Sequence, residues 1–252
     1  MTLAPARPRP RTRTRHRVGW TWIALSSLAI AVYAVTPYVT APLHELAGDA
    51  VGLAGAYEDK AAWVHAAFYV HIVGGGVALL LGPLQLWRSL RERVPSVHRA
   101  IGRTYLVAVL VGGVAALALA PVSSAGMVGF FGFGTLGILW IWTGWRGYRA
   151  IRAGDVRSHQ AWMIRNFALT YAAVTLRLWT GVLVAVQTPW IATGADADAA
   201  FTNAYAAVPF LAWIPNLVVA ELLVRRRGLP ALRIVDDGPT AHGYARTEVG
   251  ER

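Results

Sequence analysis

The chain reads as an all-α membrane protein, a polytopic bundle of about six transmembrane helices with both termini cytoplasmic. Three observations carry this reading. Charged residues are only 15% of the 252 and hydrophobic residues reach 56%, too little charge to coat a soluble domain of this length. Six apolar runs recur, each long enough to cross about 30 Å of hydrocarbon as a helix. Every second connection between them is rich in arginine, and the alternate ones are not.

Residues 1–17 are rich in Pro, Arg and Thr, which predicts a disordered basic tail. They resemble the charged front of a signal peptide, with Ala29 and Ala31 as small residues at a candidate cleavage site. The charge pattern below works only if this first run is retained as a span. The six-span membrane domain covers 18–227, with core spans over 61–187. Its runs are Val18–Val39, Ala61–Trp87, Ala100–Val122, Met127–Trp145, Ala161–Gln187 and Ala204–Val224, and no span is visibly broken. The last residues, 228–252, form a polar tail expected to be disordered and cytoplasmic.

The tail, the connection Arg88–Arg99, the connection Arg146–His159 and the triplet Arg225-Arg226-Arg227 are all basic. Thr40–Lys60 instead carries Glu45, Asp49, Glu58 and Asp59 against Lys60. Pro121–Gly126 is uncharged, and Thr188–Asn203 holds Asp196 and Asp198. This alternation is the positive-inside pattern of a multi-pass protein of the bacterial inner membrane. It also explains the net charge of +11. The arginines flank apolar runs rather than one soluble face, so the partner is the lipid bilayer and not nucleic acid. Oligomeric state is not legible. Trp20, Trp22, Trp63, Trp87, Trp145, Trp162, Trp190 and Trp213 lie near span ends, as in an interfacial aromatic belt.

The chain has no cysteine, which excludes disulfides, thiolate metal sites and iron–sulfur clusters. Lys60 is its only lysine, so Schiff-base chemistry is improbable. Nucleotide-binding glycine loops, Ser/His/Asp constellations and zinc motifs are missing, so no soluble-type enzyme activity is legible.

Two helix faces stand out. On span two, His71, Gly75, Ala78, Gly82 and Gln85 share one small, polar face. On span five, His159, Met163, Asn166, Thr170, Ala173, Arg177 and Thr180 do the same. Span four is rich in glycine. These stripes read either as helix-packing contacts or as a polar cavity lined by His71, Gln85, Asn166, Thr170 and Arg177. Arg177 either snorkels outward toward Glu58 or Asp59, or stays buried and contacts an anion.

Of the seven histidines, His16 and His242 fall in the tails and His44 in the acidic loop. His65 and His71 are about 240° apart around their helix, so they cannot bind one metal together. His98 and His159 each open a span at the basic side, and each is followed by an arginine, Arg103 or Arg165. Two neutral imidazoles from facing helices are what the iron of a b-type haem needs, with arginines for its propionates. The bland alternative is a pair of interfacial histidines.

The stretches His71-Ile72-Val73-Gly74-Gly75, Leu81-Gly82-Pro83-Leu84-Gln85 and His98-Arg99-Ala100-Ile101-Gly102-Arg103-Thr104-Tyr105 precede two more, His159-Gln160-Ala161-Trp162-Met163-Ile164-Arg165-Asn166 and Thr175-Leu176-Arg177. Together they resemble a bacterial family of membrane proteins known as domain of unknown function 2306, over about Tyr69 to Arg177. The resemblance implies a multi-span protein and no activity. A looser similarity to cytochrome b561-like and ferric-reductase-like bundles implies histidines on a four-helix core. Span four has no histidine, so one haem is the most this chain would hold. Three functions follow: a redox protein with one b-type haem or a quinone partner, a transporter or small-molecule binder, and a structural or accessory membrane protein.

Overall fold

Apolar runs with scattered glycine and few charges leave the backbone one way to satisfy its polar groups in hydrocarbon, which is the helix. The computed structural model describes residues 11–49, 53–192 and 197–231, and among them regular structure is entirely helical. The helices are α1 (Arg11–Thr40), α2 (Leu43–Gly48), α3 (Ala54–Tyr57), α4 (Ala62–Leu86), α5 (Arg88–Arg93), α6 (Pro95–Leu119), α7 (Gly126–Arg152), α8 (Val156–Thr170), α9 (Ala172–Ala192), α10 (Ala197–Leu211) and α11 (Ile214–Arg226). Six stretches are long and apolar enough to span: Arg17–Thr40, Ala62–Leu86, Pro95–Val122, Gly126–Arg152, Val156–Pro189 and Ala199–Arg226. They coincide with the six runs in the sequence, so the protein is a multi-pass helical membrane protein.

Three differences from the sequence reading matter. First, the basic connections are mostly helix. Span four continues to Arg152, α5 fills the first connection, and α6 and α8 start at Pro95 and Val156. His98 and His159 are therefore the fourth residue of their helices. Second, spans five and six are interrupted. Span five changes from α8 to α9 at Tyr171, and span six changes from α10 to α11 at Ala212–Trp213. Pro209 and Pro215, which donate no backbone hydrogen bond, explain the second break. Third, the acidic connection folds into α2 and α3, which bury Leu43, Leu46 and Tyr57 against Val64, Phe68 and Leu119. The expected tails fall mostly on 1–10 and 232–252, outside the described residues, and α1 already begins at Arg11.

The core is a four-helix arrangement. α4 packs on α6, α6 on α7, α7 on α8, and α8 lightly on α4. α6 and α8 thus face each other across the diagonal. Small residues permit the tightest of these contacts. A Cβ on Gly74 would stand 3.0 Å from the Gly112 Cα, and one on Gly113 would stand 2.6 Å from Ile141. Such close approach of backbones is the way membrane helices associate without a hydrophobic driving force between them. α1 packs on α4, α10 on α9 and α7, and α11 on α8.

The freed backbone carbonyls at helix ends and breaks are met by side chains. Trp20 donates to the Pro83 carbonyl at 3.0 Å, and Trp213 to the Pro209 carbonyl at 2.8 Å. At the paired breaks, Thr175 donates to the Ala212 carbonyl (2.5 Å), and Asn216 donates to Ala168 O, Ala212 O and Thr175 Oγ1. Trp213 and Trp162 are therefore buried, at 7% and 8% exposure, and do not belong to the belt, whereas Trp22, Trp63, Trp87 and Trp145 are exposed.

α8 starts on a capping aspartate. Asp155 accepts from the Ser158 amide at 2.9 Å. Bonds from Ser158 hold its carboxyl below the ordinary aspartate value. A depressed folded-state pKa stabilises above the unfolded value and is lost as pH falls through the folded one. The melting temperature in detergent should therefore decline as pH is lowered below about 4, and Asp155→Ala should flatten that decline. An unchanged slope in the variant would remove Asp155 as the source.

Candidate functional site

The buried polar groups of the core form one closed knot. Tyr105, reaching across from α6, donates to Asn166 Oδ1 at 2.7 Å and lies 2.7 Å from Thr170 Oγ1. Trp140 of α7 donates its indole N–H to Thr170 Oγ1 at 2.8 Å. Asn166 spends both amide protons on the Trp140 carbonyl (2.7 Å) and Thr143 Oγ1 (2.9 Å). Asn166 and Tyr105 are 0% and 1% exposed. The hydrogen-bonding capacity of Asn166 and Thr170 is thus used between helices.

His98 and His159 stand two turns from this knot. Each precedes its knot residue by seven, His98 before Tyr105 and His159 before Asn166, so each shares a helix face with it. Since the Tyr105 and Asn166 side chains touch, the helix faces that carry the two imidazoles lie toward each other. Their electrostatic neighbours agree: His98 senses His159, and both sense Arg91. His159 donates its Nδ1–H to the Gly147 carbonyl at 2.9 Å, which leaves Nε2 as the free nitrogen. His98 Nδ1 is buried and has no hydrogen-bond partner. Gln85 Nε2 donates to the His98 carbonyl at 3.3 Å and lies over Gly102, where a Cβ would meet Oε1 at 3.1 Å.

The two arginines singled out beside these histidines lie off that face. Arg103 follows His98 by five residues, about 140° round the helix, and is exposed. Arg165 is buried and donates through Nε (2.9 Å) and Nη2 (2.7 Å) to Glu221 Oε2 of α11, and at 3.2 Å to the Pro230 carbonyl. Its guanidinium stacks on Trp162 at 5.0 Å, with Arg146 over the same ring at 4.9 Å. The cation that both imidazoles sense is Arg91 of α5, which the sequence pattern did not mark.

A family model described as a predicted membrane protein matches residues 68–224, from span two to near the end of span six. The chain belongs to the DUF2306 family. The matched region of this DUF2306 protein contains the knot, both facing histidines and the Arg165–Glu221 pair. No curated protein and no solved structure matches the chain.

His71 and Arg177 lie elsewhere, past the knot from the imidazole pair. His71 Nδ1 donates to the Gly112 carbonyl at 3.0 Å and binds α4 to α6. Arg177 Nη1 donates to the Ala173 carbonyl at 2.7 Å, one turn back along its helix. The side chain therefore runs toward the middle of the span, away from Glu58 and Asp59. His65 caps α3 through the Tyr57 and Glu58 carbonyls.

Arg165→Met should destabilise the protein by up to about 3–5 kcal/mol, because the Glu221 carboxylate, 20% exposed, would lose its close partner at 2.7 Å and keep the looser Arg225 contact at 3.5 Å. Adding Glu221→Leu should return most of that loss. Melting curves in detergent check both, and a double variant no better than the single would count against a paired charge.

Proposed function

We propose that this DUF2306 protein is a redox protein of the bacterial inner membrane that holds one b-type haem between His98 and His159, on the cytoplasmic side. The reading is supported by one observation: two imidazoles on diagonal helices stand in register with the Tyr105–Asn166 contact and within electrostatic reach of each other, each with an uncommitted nitrogen. The donor set fits the group. A carbonyl bond on Nδ1 fixes the His159 tautomer and presents Nε2 as a ligand, the usual arrangement of a ligating histidine. His98 supplies a buried nitrogen that no protein group satisfies. Arg91, rather than Arg165 or Arg103, is the guanidinium placed to answer propionates. Bound there, the haem would supply one-electron transfer.

The orientation follows from charge. Both basic connections and Arg225–Arg227 lie at the histidine end, and the positive-inside rule puts that end in the cytoplasm. The knot's role for the protein is to close the bundle above the pair and to keep water from passing through.

Protein purified from haem-replete cells should show a Soret band. His98→Ala and His159→Ala should each abolish it, while Arg91→Gln should leave it present and shift the reduction potential. A colourless wild-type protein that melts cooperatively would overturn the reading.

A further inference from the structure

Arg177 is a cation inside a span with almost all of its bonding capacity unspent. Its guanidinium carries five N–H donors, and a single hydrogen bond, to the Ala173 carbonyl, uses one of them. Among the described residues no carboxylate pairs with it. Ala173 is about midway along Val156–Pro189, so the bond holds the charge near the centre of the span. Its electrostatic neighbours come from three other spans: Tyr33 and Tyr38 of α1, Tyr205 of α10 and His71 of α4. Arg177 is partly buried between them. It also retains accessible surface, unlike the packed Arg165.

A guanidinium does not shed its proton, so it needs an anion when water is scarce. Arg165 shows how this fold treats a structural arginine, by giving it Glu221 from a facing helix. Arg177 receives no such partner. We infer that Arg177 is the anchor of a second binding site, which takes a monocarboxylate with an apolar or aromatic tail. One fixed cation balances one negative charge; a phosphate dianion would leave a net charge buried, and a neutral ligand would leave the cation unanswered. The planar fork of unspent N–H groups matches two carboxylate oxygens. The surrounding rings of Tyr38, His71 and Tyr205 offer apolar faces with polar tips. The break at Tyr171 is two residues from the bonded carbonyl, and Thr175 ties the break at Ala212–Trp213 to the same helix, in keeping with ligand sites near interrupted helices in transporters.

The test is calorimetric titration of the full chain in a neutral maltoside detergent, and it is independent of any haem. Decanoate stands for an acid drawn from the membrane and benzoate for one drawn from solution; decanol, benzyl alcohol and inorganic phosphate are the comparisons. At least one carboxylate should bind more than about tenfold tighter than its alcohol and than phosphate. Arg177→Lys keeps the charge but loses the fork and should weaken that binding by about tenfold, and Arg177→Gln should abolish it. Should the Gln variant fail to fold, the Lys variant still decides. Equal binding of acid and alcohol, tighter binding of phosphate, or unchanged affinity in the Lys variant would each overturn the site. So would uptake by wild type and Arg177→Gln alike, which is partition into the micelle.

Discussion

The Tyr105 hydroxyl, 2.7 Å from Asn166 Oδ1, is the contact on which the rest of the architecture depends. It crosses the core diagonal and ties α6 to α8, which are not packed neighbours. Trp140 and Thr143 close the knot from α7, so three helices share one set of protons. Inside hydrocarbon an unmet polar group has no water to fall back on. A one-residue slip of either helix would strand several groups together, so register is held cooperatively. That register turns the helix faces carrying His98 and His159, two turns away, toward each other.

A related economy governs the breaks. The break at Ala212–Trp213 leaves the Pro209 and Ala212 carbonyls for side chains to meet, Trp213 the first and Thr175 and Asn216 the second. Because Thr175 belongs to α9 and Asn216 to α11, the irregular points of spans five and six stabilise each other. The arginines divide by the same physics. Arg165 is paired, stacked on Trp162 and structural. Among the described residues Arg177 bonds a carbonyl of its own helix.

Much of this was legible in the sequence. Span number and approximate limits follow from hydrophobic length, since nothing else competes with that term in a chain so poor in charge. On span five, the polar face read from the spacing contains Asn166 and Thr170, which are buried, and five residues that are half-buried. The split of that face was not legible, because closure around Asn166 and Thr170 depends on Tyr105 from another helix. The pairing of Arg165 is not legible because its partner Glu221 lies 56 residues away in sequence. An angular check was available: Arg103 and Arg165 lie well off the faces of the histidines they follow. The interruption at Ala212–Trp213 had a signal in Pro209 and Pro215 that hydropathy alone does not weigh.

The central claim is that the knot holds His98 and His159 face to face. The absence of cysteine makes this directly measurable, because any thiol introduced is the sole reactive one. Mercuric ion or a short dithiol cross-linker should join the double variant His98→Cys/His159→Cys in native membranes within one chain, and should not join Arg103→Cys/His159→Cys. Cross-linking of the second pair in preference to the first would contradict the account.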